Sequence, residues 1–515
     1  MRPAPLLRAL AANAILVATA AAAQTPEAWP TREWEASTPA AEGLDTAVLA
    51  NLVDYLATPS FNTDSVLVVR HGRIVLEAYA EPVHAGLRHD LRSVTKSVLS
   101  TLVGEAIQEG RIASVDRPVL AFFPEQQASG ERQQALTVRH LLDMTPGFAW
   151  REWPYDANSD GAKLWAAPDW TRFILARAFA SEPGTKFLYN AAAPHLLSVV
   201  LTRSTGQNAA DYARGHLFRT LGIVSFTWPS DPQGNSIGES ALMLTPRDMA
   251  RIGLLHMRKG VWEGQQLLPA GWTDAIFEQP GVPHTLSNSP PTYRNLWWTD
   301  ASVPYAAAIG RHGQFIILLP RQDLMLVVTS KTADASYGAT SPALVQRYLL
   351  PAVVGKAPGA MNATDAARLS AALDKFKNPR GYPSQSPSVA AWALAGRVFA
   401  LEPNPWNYTE FGLDLSEAQP HYWLMQSDGK GGFGRTRRGG TMGLEGRYVV
   451  SNRTGDKGWA RRGRWMDEGT FRIETQNLES AIVAEWTARF LEDGRLELRY
   501  TDGDGVALVM HGRAK

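Results

Sequence analysis

A serine and a lysine stand three positions apart in the stretch Ser93-Val94-Thr95-Lys96. In a helix this spacing places the two side chains on one face. The lysine amine can then reach the serine hydroxyl and take its proton, which turns a poor nucleophile into a usable one. Burial and the field of the helix N-terminus both lower the pKa of a lysine, which supplies the neutral amine that a general base requires. The pattern indicates nucleophilic catalysis, with Ser93 as nucleophile and Lys96 as its base.

The residues after Ser93 must form the helix that positions this pair. Apolar residues recur with helical spacing from Val94 to Ile107, and Gly110 is a C-terminal stop signal. A structural interpretation stays open, in which Ser93 caps the helix and Lys96 is a solvated side chain. Since the tetrapeptide recurs by chance, its context must decide.

The composition excludes several classes of function. The chain has 515 residues, a formal net charge of +1 and no cysteine. The length predicts two or more domains. The charge gives no reason to expect nucleic acid or an anionic membrane as partner. The absence of cysteine excludes disulfides, a thiol nucleophile and thiolate metal sites. The eleven histidines show no H-E-x-x-H spacing, so we expect no metal and no other cofactor.

The N-terminal segment has the pattern of a secretory signal peptide. Two arginines precede an apolar run that ends in the small residues Ala21-Ala22-Ala23. We predict a signal peptide over residues 1–23 and a periplasmic or secreted mature protein. An uncleaved membrane anchor is the alternative.

The remainder divides into an extension, two domains and a connection between them. We predict an N-terminal extension over 24–44, a first domain over 45–354, a linker with a connecting helix over 355–385, and a second domain over 386–515. In the first domain, strands at both ends enclose a helical middle section, which indicates an α+β fold with an antiparallel sheet assembled from distant segments. A further helix is predicted from Pro246 to Lys259, with Thr245 as its N-cap.

The second domain consists of short β-like runs between Gly, Asn and Asp turns, which predicts an antiparallel β-barrel or sandwich. The predicted strands are Arg397–Glu402, Tyr408–Leu415, His421–Gln426, Arg447–Asn452, Thr470–Thr475, Ala481–Phe490, Arg495–Tyr500 and Val506–Met510. Its arginines, among them Arg437 and Arg461, are expected on a solvated face; docking on acidic cell-wall polymer is the less favoured alternative.

The context of Ser93 is a resemblance that covers most of residues 60–350. The nucleophile segment with its exit at 110–116 looks like the corresponding part of class C β-lactamase-related serine hydrolases. Three further blocks resemble that family in its order, namely Leu136–Thr145, Pro183–Asn190 and Leu244–Gly253. The resemblance implies the fold of β-lactamases and penicillin-binding proteins, in which an antiparallel sheet is flanked by helices and a helical subdomain.

The second motif of that family is Tyr-x-Asn, and Tyr189 falls where its tyrosine should be. The resemblance implies that Tyr189 relays a proton between nucleophile and leaving group. This chain departs from the pattern, because Ala191 takes the third position and Asn190 follows the tyrosine directly. Tyr-Asn here resembles the 6-aminohexanoate-dimer hydrolase branch, which acts on linear amides and carboxylic esters. Asn190 is therefore expected to contact substrate, and Tyr189 as a core aromatic is the alternative.

The third family motif is Lys/His-x-Gly, and Arg311-His312-Gly313-Gln314 lies at its place. By this analogy the backbone N–H groups of Ser93 and Gln314 form the oxyanion hole, while Gly313 lets the backbone approach the acyl group. His312 belongs to the same substrate-binding turn. Arg311 replaces the usual residue and either recognises a substrate carboxylate or is a strand-end charge.

Trp150 and Glu152 lie in a long loop region before Ser181 and are expected to line the pocket; packing in the helical subdomain is the alternative. The sequence as a whole predicts a secreted serine hydrolase that acts through an acyl-enzyme on a small ester or linear amide. One alternative is a D-amino-acid peptidase, carboxypeptidase or β-lactamase acting on peptidoglycan-type or β-lactam substrates. Another is a non-catalytic binding module of the same fold.

Overall fold

The computed structural model describes residues 29–515 apart from 59–60, 155, 287–288, 333–336, 355–361, 379–383, 416–417, 429–434 and 452–457. The predicted signal peptide therefore lies outside the described residues. The helices are Thr46–Leu56 (α1), Val94–Gln108 (α2), Glu131–Ala135 (α3), Val138–Leu142 (α4), Asp160–Ala166 (α5), Trp170–Leu175 (α6), Ala192–Thr205 (α7), Ala209–Gly215 (α8), Leu217–Leu221 (α9), Pro246–Met257 (α10), Trp272–Phe277 (α11), Tyr337–Leu344 (α12), Leu350–Ala352 (α13), Ala363–Lys377 (α14) and Val389–Ala395 (α15). Short 3-10 turns cover Val119–Phe122 and Pro320–Gln322, and a π-helical turn covers Val345–Leu349.

The strands of the first domain are Thr63–Arg70 (β1), Arg73–Tyr79 (β2), His89–Asp90 (β3), Met243–Leu244 (β4), Val261–Trp262 (β5), Gln265–Gln266 (β6), Val282–Pro283 (β7), Thr292–Arg294 (β8), Trp297–Asp300 (β9), Tyr305–Gly310 (β10), Gln314–Leu319 (β11) and Leu324–Ser330 (β12). Those of the second domain are Val398–Leu401 (β13), Tyr408–Asp414 (β14), His421–Ser427 (β15), Arg435–Thr441 (β16), Val449–Val450 (β17), Trp459–Trp465 (β18), Thr470–Asn477 (β19), Ala484–Phe490 (β20), Arg495–Asp502 (β21) and Ala507–Ala514 (β22).

The first domain is built on an eight-stranded sheet with the order β2-β1-β12-β11-β10-β9-β8-β7, in which every neighbouring pair is antiparallel. Strand β1 pairs with the distant β12, so that Val68 lies opposite Leu326. Every residue of β1 is buried, and helix α10 packs on β1, β11 and β12. The predicted α+β fold with a sheet assembled from distant segments is confirmed.

Helix α2 carries the predicted nucleophile and is buried from Val94 to Ala106. It contacts α7 and strands β10 and β11. Gly104 lies against the ring of Trp272, where an added Cβ would approach an indole carbon to 2.9 Å. Gly110 follows the helix with a left-handed φ of 73°, as its stop signal predicts. Helix α2 is therefore packed in the interior of the first domain along nearly its whole length.

Helix α10 also has its predicted start. The hydroxyl of Thr245 accepts a hydrogen bond from the backbone N–H of Asp248, and Pro246 takes the first turn, where its missing N–H costs nothing. The helix ends at Met257, two positions before the predicted end. It packs on β11 and β12, which adds a covering layer to the sheet.

The second domain has a separate hydrophobic core, which runs from Ala391 to Met510. Its single antiparallel sheet has ten strands in the order β16-β15-β14-β13-β22-β21-β20-β19-β18-β17, a near-barrel rather than a sandwich. The sequence missed β16 and β18, since arginines interrupt their apolar pattern. Within β18, Arg462 lies directly opposite Glu474 and donates to its carboxylate at 2.7 Å, a cross-strand ion pair that suits a strand. Of the described helices, none is long and apolar enough to cross a membrane.

Candidate active site

Ser93 is positioned by a sharp turn immediately before α2. Arg92 has a left-handed φ of 48°, and Ser93 occupies the N-cap position without a capping hydrogen bond from its side chain. The hydroxyl instead accepts a hydrogen bond from Lys96 Nζ at 3.1 Å. The interpretation of Ser93 as a helix cap is therefore wrong, and the predicted serine–lysine contact is present.

Lys96 is buried, with 2% of its surface exposed. Its Nζ donates to the backbone carbonyl of Glu239 at 2.6 Å and lies 3.7 Å from the carboxylate of the same residue. The ring centroid of Tyr189 is 5.1 Å from Nζ. The interpretation of Lys96 as a solvated side chain is therefore wrong. The Lys96 amine thus contacts three segments of the chain, at Ser93, Tyr189 and Glu239.

The expectation that the pKa of Lys96 is lowered is wrong. Burial does lower the pKa of Lys96, but the negative charges around it raise the pKa by more, so that the net shift is upward. The groups that raise the pKa of Lys96 are Tyr189, which also hydrogen-bonds the amine, and the side chains of Glu239 and Glu152. The amine is therefore held as an ammonium, a buried cation whose Nζ lies 3.7 Å from the Glu239 side chain.

Tyr189 stands at the end of a loop and is half-buried. Its ring stacks on Trp298 at a centroid distance of 5.6 Å and meets Tyr293 edge-on at 6.4 Å. These contacts fix the plane of the ring while one face lies toward Lys96. The tyrosine belongs to the cleft and not to the apolar interior, so its interpretation as a core aromatic is wrong.

Contrary to the prediction, Asn190 does not contact the cleft. It is fully buried, and its Oδ1 accepts from the backbone N–H of Ala193 at 2.7 Å while its Nδ2 donates to the Leu188 carbonyl at 2.6 Å. An amide that is used in this way at the start of α7 cannot reach a substrate. Asn190 positions the adjacent Tyr189 by holding the backbone on both sides of it.

Trp150 and Glu152 line the same cavity as Tyr189. The indole of Trp150 and the backbone N–H of Ala191 both donate to Glu152 Oε2, at 2.6 and 3.1 Å. Burial raises the pKa of the Glu152 carboxyl. Both residues line a cavity of about 610 Å³ beside Tyr189, and its other walls include Phe187, Pro283 and His284.

The third motif forms the tight turn between β10 and β11. His312 and Gly313 have left-handed φ values of 69° and 86°, and a Cβ at residue 313 would lie 2.1 Å from Ser330 Oγ, so only glycine fits there. At the other side of the turn, a Cβ on Gly310 would lie 2.4 Å from the Leu91 carbonyl oxygen. The turn therefore lies against the segment that leads into Ser93.

Gln314 follows this turn and is fully buried. Its side chain bonds the backbone of Ser330, donating at 2.6 Å and accepting at 3.3 Å, so it stabilises the turn and does not point to a substrate. The oxyanion-hole role concerns the backbone N–H groups of Gln314 and Ser93 and stays a prediction.

Arg311 has a partner that the sequence did not reveal. Its Nη1 lies 2.9 Å from Oδ1 of Asp504, which belongs to the turn between β21 and β22 of the second domain. His312 Nε2 lies 3.0 Å from the same oxygen, and His312 Nδ1 lies 2.8 Å from the Thr332 carbonyl. Neither alternative for Arg311 fits, because the guanidinium binds a carboxylate of this chain.

Sequence reasoning also missed Glu239, whose carbonyl and carboxylate both face Lys96. Nothing in the segment Gly238-Glu239-Ser240 marks it as functional. For Asp504 the only signal was the turn pattern Asp502-Gly503-Asp504-Gly505, which predicts a hairpin but no partner.

Comparisons with known proteins agree with this fold. They define the class as serine hydrolases of the β-lactamase fold. The model of the Beta-lactamase family matches residues 49–349, and the chain belongs to that family.

Two of the similar proteins carry the name 6-aminohexanoate-dimer hydrolase. A 6-aminohexanoate-dimer hydrolase of Paenarthrobacter ureafaciens is 27% identical over 290 residues, which are 53% of this chain and 73% of the relative. An uncharacterized protein of Alkalihalophilus pseudofirmus is 22% identical over 324 residues, 55% of this chain and 88% of its own length. A solved structure from Bacillus anthracis, assigned as a 6-aminohexanoate-dimer hydrolase, shares the fold with a TM-score of 0.52 at 19% identity and covers 62% of this chain and 87% of its own.

Proposed function

We propose that this chain is a secreted serine hydrolase that opens small carboxylic esters or linear amides through an acyl-enzyme on Ser93. The observation that carries the proposal is the meeting of Ser93, Lys96 and Tyr189 in one cleft, with Lys96 Nζ 3.1 Å from the nucleophile and 5.1 Å from the tyrosine ring. Ser93 Oγ bonds to the carbonyl carbon, and the alcohol or amine leaves. Water then hydrolyses the acyl-enzyme and restores the hydroxyl.

The raised pKa of Lys96 changes the expected proton path. An ammonium cannot accept the proton of Ser93, so we assign the proton-accepting role to the Lys96–Tyr189 pair. In this pair the Tyr189 oxygen takes the proton of Ser93, and the positive charge of Lys96, 5.1 Å from the ring, stabilises the negative charge that develops during the transfer. The same oxygen then returns the proton to the leaving group. Both transfers therefore use one group that is positioned by stacking on Trp298.

The shape of the cleft supports small, partly apolar substrates. The adjoining cavity of about 610 Å³ falls within the usual range for small-molecule sites and has aromatic walls at Trp150 and Phe187. The relative from Paenarthrobacter ureafaciens is named for the hydrolysis of the 6-aminohexanoate dimer, which favours linear amides alongside esters. Secretion is proposed from the signal-peptide pattern of residues 1–23.

A fluorophosphonate probe tests the nucleophile directly. We expect adduct mass on the peptide that contains Ser93, and no adduct at that peptide in Ser93→Ala. The variant should also lose activity by a factor on the order of 10⁴ or more. An unlabelled wild-type protein that behaves like Ser93→Ala would favour a binding module.

A substrate screen then separates the enzyme alternatives. It covers p-nitrophenyl esters, linear amides, D-alanyl peptides and a chromogenic β-lactam. We expect turnover of the esters and linear amides. Turnover confined to D-alanyl peptides or to the β-lactam would replace the proposed substrate class.

A further inference from the structure

The turn between β21 and β22 has a fixed shape. Asp502 Oδ1 accepts the backbone N–H groups of Asp504 and Val506, both at 3.0 Å. Gly505 has a left-handed φ of 85°, and a Cβ on Gly503 would lie 3.5 Å from the ring of His312. The second domain thus presents the carboxylate of Asp504 from a preorganised turn that packs on the third motif.

Both oxygens of Asp504 are bound by cationic or donor groups of the first domain. Oδ1 lies 2.9 Å from Arg311 Nη1 and 3.0 Å from His312 Nε2, while Oδ2 accepts from Arg92 Nη2 at 3.4 Å. Burial alone would raise the pKa of Asp504, but the hydrogen bond from His312 and the charges of both arginines lower it to about 2. The carboxylate therefore stays charged throughout the neutral range. Arg92 directly precedes Ser93, so this cluster borders the nucleophile.

A second contact anchors the same face of the barrel. Glu479 accepts a bidentate pair from Arg88 at 2.7 and 3.1 Å, and its backbone carbonyl accepts from the N–H of Asp90 at 2.9 Å. Asp504 therefore lies on a turn of a domain that this second contact also holds against the first domain. This second contact does not involve Arg311, which makes it a useful control.

We propose that Asp504 is a specificity-determining residue, whose carboxylate occupies Arg311 and thereby directs the cleft toward neutral acyl groups and against acyl groups that end in a carboxylate. The inference rests on the proposed function and names the substrate class of the same site. Without Asp504, the guanidinium of Arg311 would lose this carboxylate, whereas Arg92 Nε would still lie 3.2 Å from Asp90 Oδ2. The guanidinium of Arg311 would then offer the donors best suited to bind a substrate carboxylate. With Asp504 in place those donors are used, and an incoming carboxylate meets a negative charge.

The test compares two esters with four-carbon acyl chains, p-nitrophenyl butyrate and mono-p-nitrophenyl succinate, which differ in the terminal carboxylate. Wild-type protein should prefer the butyrate. Asp504→Asn should raise the succinate-to-butyrate ratio of kcat/KM by about ten- to one-hundred-fold, the range for a charge-assisted hydrogen bond, mainly through a lower KM for succinate. Asp504→Glu, which retains a carboxylate, should keep the wild-type preference.

Two further variants separate this role from simple domain docking. Glu479→Gln weakens the other contact between the domains and should leave the ratio within about twofold of wild type. Adding Arg311→Gln to Asp504→Asn should remove the gain for succinate, because the gain depends on the released guanidinium. If the role of Asp504 were only structural, Asp504→Asn would change kcat/KM for both esters equally. Adding Arg311→Gln would then leave the ratio of the two values unaltered.

The inference is overturned if Asp504→Asn leaves the ratio unchanged, or if Glu479→Gln raises it as much. Failure of the proposed function gives a different result, in which wild-type protein hydrolyses neither ester and Ser93 takes no fluorophosphonate label. If the enzyme takes the label and hydrolyses the butyrate ester, but Asp504→Asn leaves the ester preference unchanged, the hydrolase proposal stands. Only the proposed role of Asp504 is then overturned.

Discussion

The two ends of the nucleophile helix α2 treat a buried ionisable side chain in opposite ways. Near its start, Lys96 is 2% exposed, and near its end Glu105 is 4% exposed. Both oppose the helix macrodipole, since a cation is unfavourable at the N-terminus and an anion at the C-terminus. Neither residue would remain charged in such a place without compensation.

Only the first of these groups is compensated. Burial lowers the pKa of Lys96, but Tyr189, Glu239 and Glu152 together raise it by more, so the amine is held as an ammonium. Burial, and then the like charge of Glu109, raise the pKa of Glu105 to about 8, against which the backbone N–H of Leu217 acts only weakly.

Glu109 is itself engaged elsewhere. It accepts from Tyr212 at 3.0 Å and lies 2.8 Å from His216 Nδ1. The comparison shows that Lys96, beside the nucleophile, has neighbours that stabilise its charged form. Glu105, at the other end of the helix, has none strong enough, so its neutral form is favoured.

Removing the compensated cation should have the largest effect. Lys96→Met keeps the length of the side chain but removes the hydrogen bond to Ser93 and the positive charge beside Tyr189, so we expect kcat/KM for a neutral ester to fall about a thousandfold. Lys163→Met, at an exposed lysine of α5, is the matched control. Activity within tenfold of wild type would show that the charge at the start of α2 is not needed.

Removing the Tyr189 hydroxyl should reduce activity by a smaller factor. Tyr189→Phe retains the stack on Trp298 and deletes only the hydroxyl, so kcat should fall about a hundredfold, with KM little changed, because proton transfer is impaired and binding is not. Tyr293→Phe changes a fully buried tyrosine of the same aromatic cluster and should keep most of the activity. Equal losses in both variants would assign Tyr189 to packing.

At the uncompensated end we expect a change in stability and not in rate. The pKa of Glu105 is about 8 in the folded state against 4.5 for the free side chain, so its contribution to stability is present below pH 4.5 and is lost as the pH rises to about 8. Glu105→Gln cannot ionise and should exceed wild type in unfolding free energy by on the order of 3 kcal/mol at about pH 9, with little difference near pH 4.

Urea unfolding of both proteins at the two pH values measures this effect. Glu131→Gln, at an exposed glutamate, is the control. A variant that loses stability at about pH 9 would mean that the Glu105 carboxylate is stabilised by a partner, and the two ends of α2 would then be alike.

The sequence anticipated what depends on neighbouring residues. Ser93 and Lys96 are three positions apart, so helical geometry alone brings them together. The start of α10 at Thr245 and Pro246 follows from local capping. The sign of the pKa shift of Lys96 could not be derived in this way, because its partner Glu239 lies 143 positions along the chain.

The same limit explains the other corrections. Asn190 was expected at the substrate because of its place in a motif, yet its side chain is used by the backbone of α7. Strands β16 and β18 were missed because their partners, and not their own apolar pattern, define them as strands. In each case a contact formed after folding outweighed the local preference.

By itself, the sequence determined the nucleophile helix, the α+β fold of the first domain and the β-rich character of the second, since these follow from periodicity and turns. The family followed from the resemblance of several segments to known members. Only the tertiary structure decided that Lys96 stays charged and that Asp504, 192 positions beyond His312, closes on the third motif. Electrostatic energies depend on distances through space, and a chain of amino acids fixes those distances only once it has folded.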